Sequence, residues 1–392
     1  MTPAARVQAA IEILDLVFEA ARNNGPPADK IVGDWFRGHR FAGSKDRRAV
    51  REHVYGAIRA CGPVPESGRA AMLRLAQGDD AMTSLFDGSQ YGPQPIGDGD
   101  KIAQGGVASR WVLDQLRRSG ITDEEAAALL ERAPLDIRIN TLKADPDGLE
   151  LPVPSVPACV PHGLRLPAGT QVEQWPQWLD GQIEVQDAGS QITCMAVAAQ
   201  PGETIIDLCA GAGGKTLALA AAMDNRGTLI ASDTDRGRLS KLEPRARRAG
   251  AAIAHTVLLN PGKEVAALEE WRGKADAVLV DAPCSGSGTW RRNPETRWRL
   301  SPKQLENYAA LQARLLDIGA LLVRPGGRLV YVVCSLLDAE GRGQMDAFLE
   351  RHQGWKATVP DLPAGRAHGS GQRLSPHFDG TDGFFIARLS RM

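Results

Sequence analysis

Two cysteines follow predicted β-strands in the C-terminal half of the sequence, where a thiol can act as a nucleophile. Cys284 comes shortly after an apolar run that ends at Asp281, and Cys334 directly follows a run that ends at Val333. Ligands of an open parallel sheet bind outside the carboxyl ends of its strands, so these two thiols and the carboxylate are expected to face one cleft. An isolated cysteine is usually a small buried apolar residue, but two thiols beside a carboxylate favour chemistry.

Thiols and a carboxylate together can prepare a pyrimidine ring for methylation. Carbon 5 of cytosine is not nucleophilic, whereas addition of a thiolate to carbon 6 converts the ring into a reactive enamine. A carboxyl group at the N3 edge of the ring stabilises the charge that develops in this step. A second thiol can assist product release. An enzyme that methylates amino groups is instead expected to carry an Asn/Asp-Pro-Pro-Tyr/Phe loop, where this sequence has Asp281-Ala-Pro-Cys.

A glycine-rich segment, Asp207-Leu-Cys-Ala-Gly-Ala-Gly-Gly-Lys-Thr216, is typical of a loop that binds a nucleotide-like ligand. A phosphate-binding P-loop requires glycine at the position of Cys209, and the dinucleotide motif requires glycine at the position of Thr216. Carboxylates at Asp207 and at Asp233, the end of the next predicted strand, suit the ribose hydroxyls of a nucleoside that bears no phosphate. The segment therefore predicts S-adenosyl-L-methionine as cofactor, with a glycine-rich turn of some other α/β enzyme as the alternative.

The elements that must position these residues alternate between strands and helices. Apolar runs at 203–207, 227–232, 276–281 and 327–333 are separated by helical segments at 214–223, 235–249, 263–271 and 302–322, and a last strand is predicted at 384–389. Strands separated by helices of this length imply βαβ crossovers and a buried, largely parallel sheet. We therefore predict an α/β, Rossmann-like domain over 183–392.

The sequence before residue 183 has a different texture. Residues 1–75 are predicted to form a helical domain, with helices over 2–23, 27–38 and 46–60, and residues 76–100 an acidic linker rich in glycine and proline. A small α+β module is predicted over 101–182. Seven Lys/Arg side chains against two acidic ones between 36 and 59 predict either RNA contact or a solvated helix face.

The composition sets wider bounds. With 392 residues, a hydrophobic fraction of 43% and a charged fraction of 24%, the chain is neither disordered nor fibrous. It contains no apolar run of the roughly 20 residues that a membrane span needs, so a cytoplasmic protein is expected. The six cysteines form no CxxC motif, so no metal site is expected. The net charge of −1 does not exclude RNA as partner, because basic clusters at 36–59, 236–248 and 291–303 could attract phosphates locally.

These motifs together resemble the Nop/Sun family of RNA 5-methylcytosine methyltransferases, from about residue 134 to the end. The segments that carry the resemblance are Arg138–Lys143, Val185–Gln191, Asp207–Thr216, Asp281–Gly288, Arg291–Pro294, Val333–Ser335 and Gly380–Phe385. The resemblance implies a class I methyltransferase fold, with Cys334 as the nucleophile and Cys284 as the residue that assists product release. DNA cytosine methyltransferases use the cysteine of the Pro-Cys loop as nucleophile instead.

The N-terminal region, with its segment Glu52–Arg59, resembles the NusB-like domain of the RsmB branch of this family. That likeness implies small-subunit (16S) ribosomal RNA as the substrate. A monomer is expected. Two alternatives stay open: a methyltransferase for tRNA, and a catalytically weak RNA-binding factor for ribosome assembly that keeps the same fold.

The expected cofactor-binding residues are those of the glycine-rich loop and the strand ends beside it: Cys209, Ala210, Gly211, Ala212, Gly213, Gly214, Lys215, Asp233, Asn260 and Asp281. Lys215 could instead be a surface lysine at the start of a helix. Three residues depart from the family pattern. Ala212 stands where proline is usual, Val333 replaces a threonine before the nucleophile, and Asn260 replaces an aspartate that binds the adenine amino group.

Overall fold

The computed structural model describes residues 1–392 and divides into two compact units, the first of which is helical. This helical unit comprises Met1–Arg132 and Thr289–Ser301. Its helices are α1 (Pro3–Arg22), α2 (Ala28–Gly38), α3 (Ser44–Ala60), α4 (Gly68–Ala76), α5 (Asp80–Thr83), α6 (Arg110–Arg118) and α7 (Asp123–Ala128). The first three lie within two residues of the predicted helices, because their apolar residues recur at helical spacing and pack into one buried core.

The segment 289–301 joins the helical unit although it follows the predicted strand at 276–281 in the sequence. Within this unit the buried guanidinium of Arg297 donates hydrogen bonds of 2.6 Å to the carbonyl oxygens of Ile58 and Cys61. The indole of Trp298 donates to the carbonyl oxygen of Gly62 at 2.8 Å. The last carbonyl groups of a helix have no hydrogen-bond donor within it, and the side chains of Arg297 and Trp298 supply donors at the end of α3.

This placement bears on two predictions. The predicted domain at 183–392 is interrupted, because 289–301 belongs to the helical unit rather than to the sheet. In the basic cluster at 291–303, which is predicted to attract phosphates, Arg291 and Arg297 are only 4% and 2% exposed, whereas Lys303 is exposed. The buried guanidinium of Arg297, bonded to main-chain carbonyls, holds the segment in place, so the cluster offers less charge to a polyanion than its five basic residues predict.

The second unit, Ala133–Gly288 with Pro302–Met392, begins with a small antiparallel sheet. Its strands β1 (Leu135–Ile139), β2 (Val156–Pro157), β3 (Gly163–Leu166) and β4 (Ile183–Val185) have the order β2-β3-β1-β4, and the helices α8 (Pro176–Leu179) and α9 (Ala188–Met195) flank β4 in the sequence. The side-chain amide of Asn140 donates to the carbonyl oxygens of Gly181 and Ala249, at 2.8 and 2.7 Å. This amide therefore ties the small sheet to the rest of the second unit.

A nine-stranded sheet forms the body of the second unit. Its elements are β5 (Thr204–Asp207), α10 (Gly214–Ala222), β6 (Thr228–Asp233), α11 (Arg236–Leu239), α12 (Leu242–Ala249), β7 (His255–Leu258), α13 (Glu264–Ala267), β8 (Ala275–Asp281), α14 (Pro302–Leu322), β9 (Val323–Val333), α15 (Arg342–Arg351), β10 (Trp355–Thr358), β11 (Arg366–His368), β12 (Gly371–Leu374), α16 (Pro376–Asp379) and β13 (Phe384–Arg391).

The strand order of this sheet is β11-β12-β13-β9-β8-β5-β6-β7, with β10 beside β13. The strands from β9 to β7 are parallel to one another, and β13 is antiparallel to β9. Apolar clusters cover the sheet, which buries the parallel strands. The predicted α/β, Rossmann-like class is confirmed, and each predicted strand overlaps an observed one. The carboxyl ends of β5, β6, β8 and β9 thus lie along one edge of the sheet.

No helix of the chain combines the length and the apolar character needed to cross a membrane.

Candidate active site

The glycine-rich loop connects β5 to α10 and has a backbone course that requires glycine. Gly211 and Gly213 have φ angles of +55° and +87°, in the left-handed region where a β-carbon is strained. A β-carbon on Gly213 would also lie 2.0 Å from a methyl carbon of Leu242. The N–H groups of the first turn of α10, from Gly214 onward, have no partner within the helix and can receive a ligand.

Asp233, the last residue of β6, fixes this loop. One carboxylate oxygen accepts a hydrogen bond of 2.7 Å from the N–H of Gly211, and the other accepts one of 2.7 Å from the N–H of Asp235. Each carboxylate oxygen has two lone pairs, so each keeps one for a further donor. The structure thus brings the expected ribose-binding carboxylate to the loop and gives it a structural role as well.

Lys215 and Asp281 form an ion pair beside the loop. The distance from Lys215 Nζ to Asp281 Oδ2 is 2.6 Å, and the ammonium lies 5.8 Å from the centre of the Phe384 ring. The lysine side chain is 13% exposed, so Lys215 is not the surface residue that the alternative proposed. Burial lowers the pKa of Lys215, but the Asp281 carboxylate more than offsets this effect, so the net pKa is raised. Lys215 therefore stays protonated.

The two cysteines of the predicted site are neighbours. Cys284, three residues after the end of β8, and Cys334, directly after β9, have their Sγ atoms 3.3 Å apart. Both side chains are half-buried, as is Asp281, so all three keep some exposure to solvent. The hydrogen bond to Cys334 and burial raise the pKa of Cys284 well above its ordinary value. Cys284 therefore holds its proton firmly and can donate it in a hydrogen bond to its partner.

Comparison with known proteins identifies the family of this chain. Residues 194–390 match the family described as 16S rRNA methyltransferase RsmB/F. The chain belongs to the RsmB/F methyltransferase family. The resemblance to the Nop/Sun family is thereby confirmed.

Two curated relatives extend beyond the matched domain of this RsmB/F methyltransferase. The probable ribosomal RNA small subunit methyltransferase B of Synechocystis sp. is 35% identical over 316 residues, which cover 75% of this chain and 69% of that protein. Ribosomal RNA small subunit methyltransferase B of Erwinia tasmaniensis is 31% identical over 353 residues, which cover 87% and 77% of the two chains.

Two solved structures share the fold. The crystal structure of PH0851 superposes with a TM-score of 0.75 at 24% identity, covering 100% of this chain and 99% of that one. A methyltransferase homologue from Pyrococcus horikoshii superposes with a TM-score of 0.58 at 26% identity, covering 72% of this chain and 100% of that one.

The family departures of this RsmB/F methyltransferase lie on the same edge of the sheet. Asn260 comes two residues after β7, which is parallel to β6, and its side chain is exposed. Val333 is fully buried, so the methyl group that replaces a hydroxyl there lies within the core. Ala212 keeps the loop in place through its carbonyl oxygen, which accepts from Arg245 at 2.8 Å. Cys209 is half-buried against the apolar core of the sheet.

Glu340 is a site residue that the sequence did not reveal. It lies six residues after Cys334, is fully buried, and accepts hydrogen bonds from the serines that follow each cysteine, Ser285 and Ser335. Glutamates are usually solvent-exposed, and only the assembled sheet brings β8 and β9 close enough for one carboxylate to contact both loops. No pattern within a single segment of the sequence indicates this contact.

Asp207, the last residue of β5, carries a buried carboxyl group whose pKa burial raises to about 7. Thr216 donates a hydrogen bond of 2.7 Å to this group and lowers the pKa in part, while Asp281 and Asp233 raise it further. A carboxyl group with this pKa binds a proton in the folded state at a pH where the unfolded chain has already released it.

We expect the free energy of unfolding to depend on pH through this group. Folding raises the pKa of Asp207 from 3.8 to about 7. The contribution of this group to the free energy of unfolding therefore decreases by roughly 4 kcal/mol as the pH rises from about 4 to about 7. Urea unfolding of the protein without ligand at pH 5 and pH 8 should therefore show a decrease that Asp207→Asn removes.

Asp276 at the start of β8 is the matched control. Burial raises its pKa, but hydrogen bonds from the Thr204 N–H and from Arg324 outweigh this effect and the net pKa is lowered. Its contribution changes only below about pH 4, so Asp276→Asn should leave the difference between pH 5 and pH 8 intact. Equal pH dependence of Asp207→Asn and the unsubstituted protein would contradict the assignment.

Proposed function

We propose that this RsmB/F methyltransferase transfers a methyl group from S-adenosyl-L-methionine to carbon 5 of a cytosine in small-subunit ribosomal RNA. The observation that carries the proposal is the pair of thiols 3.3 Å apart, at the ends of adjacent parallel strands. An Asp–Lys ion pair and the glycine-rich loop lie at the same edge of the sheet. Covalent catalysis on a pyrimidine requires this combination of a nucleophile, a group for the N3 edge and a donor site.

The loop suits S-adenosyl-L-methionine better than a phosphorylated cofactor. Three carboxyl groups lie beside it, those of Asp207, Asp233 and Asp281, because each ends one of three neighbouring parallel strands. The Asp233 carboxylate, which has no cationic side chain bonded to it, disfavours a pyrophosphate and favours ribose hydroxyls and a positively charged sulfonium. Asp233 would accept from the ribose through its remaining lone pairs, and Asn260 can accept from the adenine amino group. When bound, the cofactor supplies a methyl group on a positively charged sulfur.

The first step is addition of Cys334 to the base. The Sγ thiolate forms a bond to carbon 6, and the electron pair of the 5,6 double bond moves into the ring and makes carbon 5 nucleophilic. Asp281 lies at the end of the strand beside Cys334 and is held by Lys215. N3 takes up the proton that the Cys334 thiol releases, and the Asp281 carboxylate can accept a hydrogen bond from the protonated N3 and so stabilise the adduct. The target base must leave its stack to reach the site, which costs a few kcal/mol.

The last step restores the aromatic ring. After carbon 5 has received the methyl group, its proton passes to water, the 5,6 double bond forms again, and the bond between carbon 6 and Cys334 Sγ breaks. The departing thiolate takes the electron pair of the broken bond, and the proton held at N3 returns to it. Cys284 holds its proton firmly and lies at hydrogen-bond distance, so its S–H stabilises that thiolate as it leaves.

RNA is supported as the substrate by the names of the relatives, and 16S ribosomal RNA by the description of the matched family. The test is incubation of the protein with labelled S-adenosyl-L-methionine and unmodified small-subunit ribosomal RNA or tRNA, followed by nucleoside analysis. We expect label in 5-methylcytidine from the ribosomal RNA. Label mainly in tRNA would establish the alternative substrate, and RNA binding without any label would establish an assembly factor.

Lys215→Met is expected to lower kcat by roughly 10²-fold, because Asp281 loses the cation that fixes it beside the base. Lys215→Arg should recover part of the loss, since it restores the charge. The control is Lys356→Met, which removes an exposed lysine from β10 and should keep full activity. The measurement is methyl incorporation into ribosomal RNA at saturating cofactor. Full activity of Lys215→Met would contradict a role for the ion pair.

A further inference from the structure

A single buried carboxylate connects the two loops that carry the thiols. Oε1 of Glu340 accepts hydrogen bonds from the Ser285 N–H at 2.8 Å and from the side-chain amide of Gln312 at 3.1 Å. Oε2 accepts from the hydroxyl groups of Ser285 and Ser335, the latter at 2.6 Å. All four donors are neutral, and four is the number of hydrogen bonds that an ionised carboxylate can accept.

The two serines that bind Glu340 are the direct neighbours of the two cysteines in the sequence. Ser285 directly follows Cys284, and Ser335 directly follows Cys334, so the carboxylate holds the residue next to each thiol. The loops are also joined by a hydrogen bond of 3.0 Å from the Gly288 N–H to the Cys334 carbonyl oxygen. Glu340 itself is anchored, since its own carbonyl oxygen accepts from the buried Tyr331 hydroxyl at 2.6 Å. A shift of either loop would break several hydrogen bonds at once.

We propose that Glu340 is a positioning residue that holds Cys284 and Cys334 at the separation that product release requires. The inference rests on the proposed function for the roles of the two thiols. One oxygen of the carboxylate accepts from two hydroxyl groups and the other accepts from two N–H groups. These four hydrogen bonds hold both loops in a fixed position relative to each other. Glutamine has one acceptor oxygen and an NH₂ group, so Glu340→Gln cannot accept all four hydrogen bonds and places a donor against some of these groups.

The primary test measures thiol proximity without RNA or cofactor. The full-length protein and Glu340→Gln are treated with the thiol oxidant diamide, which joins two thiols as a disulfide and is itself reduced to a hydrazine. The rate at which the Cys284–Cys334 disulfide forms is followed by peptide mass spectrometry. We expect a clear slowing in Glu340→Gln. An unchanged rate would overturn the proposal whether or not cytosine is the methylated base.

The second readout is turnover. Misplacement of reacting groups by about 1 Å costs on the order of 10²-fold, so we expect kcat of Glu340→Gln to fall by about that factor with KM for RNA and cofactor unchanged. The variant should also accumulate covalent protein–RNA adduct, because release is the step that needs both thiols. A fall in kcat with unchanged disulfide formation would assign Glu340 to another step and overturn the positioning role.

Glu264→Gln is the matched control, because Glu264 is a buried carboxylate of the same unit that pairs with Arg314 at 2.8 Å, outside the site. It should keep both rates. If Glu340→Gln fails to fold, Ser285→Ala and Ser335→Ala each remove one hydroxyl donor and should slow disulfide formation to a smaller extent. Unchanged disulfide formation in both serine variants would overturn the proposal as well.

Discussion

Cys334→Ala is expected to abolish methylation and every covalent adduct with RNA. Without the thiolate, carbon 6 receives no nucleophile, carbon 5 stays unreactive, and cofactor in the donor loop has no acceptor. Loss of the attacking residue in enzymes with covalent intermediates lowers kcat on the order of 10⁴-fold or more. Methylation is measured as labelled methyl groups in RNA retained on a filter, and the covalent adduct is measured by denaturing gel electrophoresis.

The control for Cys334→Ala is binding. The side chain is half-buried at the end of β9 and contributes little to the core, so the fold, the affinity for cofactor and the affinity for RNA should all be kept. Cys194→Ala, which removes a thiol from α9, should retain activity and shows that loss of any thiol is not sufficient. Full activity of Cys334→Ala would exclude it as the nucleophile and shift the role to Cys284.

Cys284→Ala is expected to accumulate the covalent adduct that Cys334→Ala abolishes. Addition and methyl transfer proceed through Cys334, but the departing thiolate loses the S–H donor that lies 3.3 Å away. Release should become the slow step, so a protein–RNA adduct that survives denaturation should accumulate with cofactor present. The adduct is measured as a shifted band in a denaturing gel that nuclease treatment removes.

Two further variants test the role of Cys284. Cys284→Ser keeps a hydrogen-bond donor at the same position and should accumulate less adduct than Cys284→Ala. The double substitution with Cys334→Ala should show no adduct at all. Rapid turnover by Cys284→Ala without adduct would show that release does not depend on this thiol.

Much of the sheet could be predicted because buried parallel strands are continuous apolar runs. The strands that end at Asp207, Asp233, Asp281 and Val333 are of this type, and their ends place the site. The strand at His255–Leu258 was not predicted, since its first residues are exposed and polar. Likewise β11 is a short edge strand with mostly exposed residues, which carries no alternating apolar pattern.

Long-range contacts explain what sequence could not predict in the site. Glu340 and Ser285 are 55 residues apart, and their hydrogen bond exists only because β8 and β9 are paired. The segment 289–301 looked like a basic surface because its charges are visible in the sequence. The carbonyl groups at the end of α3 that bind Arg297 belong to residues more than 200 positions away.

The identity of the trapped adduct tests directly whether Cys334 forms the covalent bond to the methylated cytosine. Cys284→Ala is incubated with ribosomal RNA and S-adenosyl-L-methionine, digested with nuclease and protease, and analysed by tandem mass spectrometry. We expect a methylated cytosine nucleotide attached to the peptide that contains Cys334. Attachment to any other residue, or an adduct whose base is not cytosine, would contradict it.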